Sequence, residues 1–329
     1  MNKFDNSKVK PLPLSERESK TSINSIIDPN LIPEKSPNIE KIDYIAEEIV
    51  KSKNKQKPII LFFGAHLIKN GLSRLLGKMA EEGYITHFAT NGAGPIHDWE
   101  FAYQGKTEED VRKYVQKGQF GTWDETGKYL NLAIKEGAKN NLGYGESIGK
   151  IILEDKIDNI IIRHPYKNYS LQYHAYKNNI PFTVHPSIGQ DIIYTHPDCD
   201  FESIGKGAGI DFLKYVDSVS KLEGGVYLSV GSAIASPMVF EKALSMSRNV
   251  AVQENKELKD FMIVVNDIQK SGDWDWGKTE EEPPKDNQAY YLRFCKTFNR
   301  MGSREMHYVQ EDNRSFLRNL HHAIKRIDK

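Results

Sequence analysis

Five short runs of this chain are apolar on consecutive positions, and that pattern limits the fold more than any other feature. They read PIILFF at 58–63, ITHFAT at 85–90, PFTVH at 181–185, GVYLSV at 225–230 and FMIVV at 261–265. A strand with one wet face alternates apolar and polar residues, whereas a strand that is apolar throughout is covered on both faces. Between the runs the spacing turns helical, as at Ile39, Ile42, Ile45, Ala46 and Ile49. It predicts helices over 39–52, 67–82, 108–117, 124–136, 147–155, 168–178, 212–222 and 237–247, with 290–326 mainly helical. Strands alternating with helices imply a mostly parallel, doubly wound sheet, so the fold class is α/β and Rossmann-like.

Such sheets bind ligands beyond the carboxyl ends of their strands. That rule selects Gly64-Ala65-His66, Thr90 to Asp98, His185 to Asp191, Gly231 to Ser236 and Asn266-Asp267. Residues 1–38 are rich in Lys, Ser, Pro and Asn and read as an extended or disordered arm, ahead of one α/β domain over 39–329. The polar, Pro-containing stretch 271–288 reads as a lid or a surface excursion.

Lys+Arg and Asp+Glu are both 45, so there is no basic excess of the kind nucleic-acid binders show. Cys199 and Cys295 are the only cysteines, too few for a disulfide framework, and they suit a reducing compartment. The polar start MNKFDNSKVKPLPLSERESK lacks an apolar signal core, and no apolar run is long enough to span a bilayer. The expectation is a cytoplasmic protein that acts on a small molecule, with no nucleic-acid or membrane partner.

The densest chemistry lies in Thr90-Asn-Gly-Ala-Gly-Pro-Ile-His-Asp-Trp-Glu100. Two glycines leave backbone N–H groups uncovered just where a helix begins, which makes a cradle for an anion or cofactor. Either His97 and Asp98 lie at that ligand, or Asp98 caps a helix and His97 faces solvent. The glycines do not complete G-x-G-x-x-G. In His185-Pro-Ser-Ile-Gly-Gln-Asp191, Ser187 and Gly189 sit at a strand end, and Asp191 suits a ribose hydroxyl or an amine. His185, Asp191, His196 and Cys199 follow no zinc spacing, so no metal is expected. Ser236 reads first as a cap for the helix opened by Pro237. Asp267, Trp274 and the acids beside Trp274 suit an organic cation.

Taken in order, these segments resemble the deoxyhypusine synthase superfamily, in particular its bacterial deoxyhypusine synthase-like branch, over residues 58 to 277. Thr90 to Asp98 is similar to that family's Thr-Ala-Gly-Gly-x-x-x-Asp turn, and Asn179 to Asp191 to its Asn-Ile-Pro-Val…Asp-Gly-Ser segment. Val226 to Ser236 is similar to its strand and glycine-rich loop, and Val264 to Trp274 to its Tyr-Ile-Asn-Thr run. The resemblance implies a homotetramer that binds NAD at the glycine turns and transfers an aminobutyl group carried on a loop lysine. It assigns Asn91, Gly92, Gly94, Ser187, Gly189, Asp191, Gly231 and Ser232 to NAD. Substrate is expected at His66, Ser236, Asn266, Asp267 and Trp274, and catalysis at His97, Asp98 and His185, of which His66, His97 and His185 are additions to the family's pattern. Ser236 stands where the lysine belongs, so a true deoxyhypusine synthase is not expected. The expectation is an NAD-using transferase acting on an amine or polyamine-related molecule. The alternatives are an NAD-independent hydrolase or lyase with a His97-Asp98 acid–base pair acting on an anion, and a non-catalytic ligand sensor.

Overall fold

A computed structural model describes residues 2–277 and 282–328. Part of the stretch expected to act as a lid, 278–281, therefore lies outside the described residues. Six strands form the main sheet: β1 (Ile59–Phe63), β2 (His87–Asn91), β3 (Phe182–His185), β4 (Val226–Val230), β5 (Met262–Asp267) and β6 (Glu305–Gln310). Their order is β3-β2-β1-β4-β5-β6. The registers of β1 with β4, β4 with β5 and β5 with β6 are all parallel. This is the strand order of doubly wound dinucleotide-binding sheets, with the reversal between β1 and β4.

The helices of seven residues or more, among the described residues, are α1 (Ile39–Asn54), α2 (Ser73–Glu81), α3 (Ala93–Gln104), α4 (Asp124–Lys139), α5 (Tyr144–Glu154), α6 (Leu171–Lys177), α7 (Phe201–Ser220), α8 (Ala235–Gln253), α9 (Arg293–Asn299) and α10 (Asn313–Ile327). None is long and apolar enough to cross a membrane, among the described residues.

The five runs expected as strands are strands. β6 corrects the expectation of helix through 290–326. Its residues alternate, with Met306 and Tyr308 buried and Glu305 and His307 partly exposed, because β6 lies at the end of the sheet. A search for strands apolar on both faces passes over such an edge. The helix expected at 67–82 is broken into His66–Lys69 and α2. α7 begins at Phe201, well before the expected 212.

Two compact units emerge from the contact pattern: 1–27, 68–74 and 90–212 in the first, and 28–67, 75–89 and 213–329 in the second. In the second unit every residue of β1 and β4 is buried, and α1 packs on α10. The buried stripe of α1 is Ile42, Ile45, Ala46 and Ile49, the face that its spacing predicts. Each fully buried Ile there contributes roughly 1.5–3 kcal/mol. In the first unit α5 packs on α4 and α6, and the N-terminal arm runs across the same unit. Thr21–Ser22 pairs with Lys106–Thr107, and Leu12 bridges to Trp123.

Candidate functional site

The turn after β2 and the turn after β3 wall a cleft of ≈ 200 Å³ in the first unit. α3 supplies Ala93, Ile96, His97 and Glu100, and the chain after β3 supplies Gln190, Asp191 and Ile192. The arm adds Arg17. α3 begins where it does because Asn91 Oδ1 accepts from the Gly94 N–H at 3.2 Å, an ordinary first-turn cap. Gly92 precedes the helix, and a Cβ there would lie 2.0 Å from Asp191 Oδ2. Glycine is therefore what lets the Asp191 carboxylate reach the start of α3, where a negative charge is favoured.

Charge in the cleft is unbalanced. Arg17 grips Glu100 through two bonds, Nη1 to Oε1 at 2.7 Å and Nη2 to Oε2 at 2.8 Å, with both side chains only 1% exposed. Burial opposes the Glu100 charge, yet the Arg17 guanidinium holds the carboxyl below its usual range. Lys69 pairs with Glu108 at 3.2 Å. Among the described residues, two carboxylates in the wall then form no ion pair of their own. Glu109 accepts from the Trp123 indole at 2.8 Å and from the Gly121 N–H at 3.0 Å. Asp191 has the Tyr194 hydroxyl at 3.4 Å, and burial raises its carboxyl to about 6.

Behind His97 runs a relay. The Thr107 hydroxyl lies 2.6 Å from Glu100 Oε2 and 2.8 Å from His97 Nδ1. An ionised carboxylate only accepts, so the single Thr107 proton goes to Glu100. His97 Nδ1 must then carry a hydrogen and donate it to Thr107, which leaves a lone pair on Nε2. Thr126 donates to the other Glu100 oxygen at 2.8 Å. Burial holds His97 down at about 4, so at neutral pH its ring is uncharged.

Asp98 does not pair with His97, because successive residues on a helix point apart. It is wholly buried and accepts from Ser170 Oγ at 2.6 Å, Leu171 N at 2.8 Å and Gln172 N at 2.9 Å. It thereby caps α6, and the expected acid–base pair is corrected to a structural carboxylate. His185 ends β3, with Nε2 3.1 Å from the Thr183 hydroxyl, and burial lowers it to about 3. Ser187 and Gly189 belong to an exposed turn closed by Gln190 N to Ser187 O at 3.0 Å.

The remaining expected residues lie in the second unit. Gly231 follows β4 with φ +60°, and a Cβ on Gly64, after β1, would meet the Gly231 carbonyl oxygen at 2.1 Å. Backbone thus touches backbone at the sheet's reversal. Ser232 caps α8 by accepting from Ser236 N at 3.2 Å. That corrects the reading of Ser236 as the cap. Ser236 is itself wholly buried, 2.8 Å from the Tyr227 hydroxyl, and faces no ligand surface. Asn266 is also buried, and its amide donates to the carbonyls of Val309 and Glu311 at 3.0 and 2.9 Å, which ties β5 to the end of β6. His66 is exposed after β1. Asp267 turns back on Gln269 N at 3.0 Å. Trp274 lies instead in a different hollow, beside Trp276, Lys41 and His307, of which Asp267 is not a wall.

The cleft brings His97, Asp191 and the Gly92 turn, which the sequence singled out, together with Arg17, Lys69, Thr107, Glu108 and Glu109, which it did not. Arg17 sat in a segment read as an arm. The one local signal was a single arginine in SERES, with its partner 83 positions away.

No protein-family profile and no curated protein matches the chain. Solved structures do share its fold. Unliganded AgrE is 18% identical with a TM-score of 0.54, over 89% of this chain and 34% of that one. The chain therefore spans about a third of AgrE. A conserved LOR/SDH protein from Methanococcus maripaludis S2, a provisional assignment, is 17% identical over 91% of this chain and 74% of that one, with a TM-score of 0.50. A protein from Entamoeba histolytica, provisionally a deoxyhypusine synthase, is 10% identical over 90% and 91%, with a TM-score of 0.52.

Proposed function

We propose that this chain is an NAD-using enzyme acting on an amine-bearing small molecule, and that the first-unit cleft holds the amine. The observation that carries this reading is the Asp191 carboxylate, desolvated and without an ion-pair partner among the described residues, in one cleft with a neutral imidazole. An ammonium ion supplies the missing charge and has N–H donors for both groups. AgrE has been solved with ornithine and NAD+ together, which agrees in kind with this reading.

Doubly wound sheets receive a dinucleotide at the strand-order reversal, and here Gly64 and Gly231 flank it. Gly231, Ser232, Ala233 and the start of the 19-residue α8 fit a pyrophosphate, since Ser232 takes only the Ser236 N–H and the residue before the helix has no side-chain cap among the described residues. Gly231 and Ser232 would hold the cofactor there. NAD, when bound, would supply the hydride acceptor for oxidising an amine.

Asp191 first pairs with the ammonium and then receives one of its protons. A carboxyl raised to about 6 suits that exchange near neutral pH. His97 Nε2 accepts a second N–H and fixes the nitrogen, with Thr107 and Glu100 setting its ring. Oxidation of an amine to an imine removes one hydride and one proton, and Asp191 is the group that would receive the proton. Transfer of the resulting alkyl imine to a second amine is the reaction that the family resemblance implies. Buried Ser236 offers no carrier for it, so acceptor attack would occur on the free imine.

The test is a titration of NAD+ into purified protein, followed by tryptophan fluorescence, with Gly231→Val as the comparison. Saturable quenching lost in the variant supports the reading. Absence of quenching in the unaltered protein, with no nicotinamide released on denaturation, would rule NAD out.

A further inference from the structure

Arg318, His321, His322 and Lys325 follow one another at i, i+3, i+4 and i+7 on α10, which puts four basic side chains on one helix face. Together with Lys78 of α2 and the turn at 28–31, they wall a hollow of ≈ 210 Å³ within the second unit. Asp28 is the only carboxylate in that wall. Like charges one turn apart destabilise a helix, so an arrangement of this kind calls for a counter-ion.

The protein supplies only part of one. Glu82 is shared between His321 Nε2 at 3.3 Å and Lys325 Nζ at 3.1 Å. Lys78 Nζ reaches the Asn30 amide oxygen at 3.4 Å, and Arg318 Nη2 reaches the Ile32 carbonyl at 3.4 Å. Among the described residues neither has a carboxylate partner, and Arg318 Nε is buried with nothing to donate to. A buried charged donor left without an acceptor is costly. The helix dipoles account for Lys325 and Lys78, each in the last turn of its own helix, but not for Arg318 two turns before the end of α10.

We propose that this hollow is a binding site for a small dianionic oxyanion group, of which a phosphate monoester is the plain example. Arg318 offers a planar fork that matches two oxygens, Lys78 and Lys325 offer point charges, and His322 stands at the rim. Glu82 already pairs with Lys325, so a monoanion would neutralise only one of the two cations that remain, Arg318 and Lys78. A dianion with several oxygens reaches more than one. The hollow is small enough for the oxyanion head alone, so the rest of the ligand lies in solvent.

The experiment is calorimetry on the full chain at low ionic strength with three probes: inorganic phosphate, pyrophosphate and succinate. The expected result is saturable one-to-one binding of at least one probe, weakened at least tenfold by Arg318→Gln and by Lys78→Gln. Arg314→Gln, exposed on the same helix outside the hollow, leaves the affinity unchanged. Whether the phosphates or succinate bind identifies the oxyanion. Equal melting temperatures across the variants show that the fold is retained. Binding of none of the probes, or binding that survives both substitutions in the hollow, overturns the proposal.

Discussion

Gly92 and Asp191 depend on each other: the Asp191 carboxylate occupies the space that a Cβ on Gly92 would need, 2.0 Å from Oδ2. Gly92 has φ −64° and ψ −21°, a conformation that alanine adopts freely. Gly92→Ala should therefore leave stability within about 1 kcal/mol, because the end of a short side chain can swing aside. It should still weaken amine binding at least tenfold, since Asp191 is the group displaced. Thermal melts and calorimetry on the same preparation check both halves.

Asp191 also sets a pH dependence. Its carboxyl is raised by burial to about 6, above the ordinary 3.8, so the folded state holds that proton more tightly than the unfolded chain does. Its contribution to stability is then greatest at low pH and falls as pH rises from about 4 to about 6. Asp191→Asn removes that slope. We expect the variant to be more stable than the parent by about 3 kcal/mol at pH 7, and no more stable below about pH 4. Urea unfolding at several pH values measures it.

The relay fixes a tautomer. With Thr107 donating to Glu100, His97 carries its hydrogen on Nδ1. Nitrogen NMR should show that form in the parent protein and in Thr107→Ser, and a mixture with the Nε2–H form in Thr107→Val.

Arg17 and Glu100 are a buried pair with two short bonds, so removing either partner strands a charge. Arg17→Met should cost about 3–5 kcal/mol in urea unfolding. Since Arg17 holds the Glu100 carboxyl below its usual range, the stability from that charge is present above about pH 4 and lost as pH falls further. Arg17→Met, Glu100→Gln together should recover much of the loss, because no buried charge is then left alone.

Much of the sheet was legible because its inner strands bury both faces and write that into consecutive apolar residues. β6 was not, since its residues alternate as an edge strand's do, and neither was the gap between the two parts of the helix expected at 67–82. The Gly92 turn, His97 and Asp191, singled out in the sequence, are brought to one cleft by the fold. Their roles were less legible. His97 and Asp98 are neighbours in sequence, but helical geometry sends one to the cleft and the other to the start of α6. Arg17, Thr107 and Asp191 meet α3 only through folding, and no local spacing encodes those meetings.

The most direct measurement is calorimetric titration of a diamine such as ornithine, with NAD+ present, into the parent chain and Asp191→Asn. The account predicts saturable binding to the parent that is at least tenfold weaker in the variant and weaker in the parent below pH 6. Equal affinity in the two proteins, with the variant folded and still binding NAD+, would contradict it.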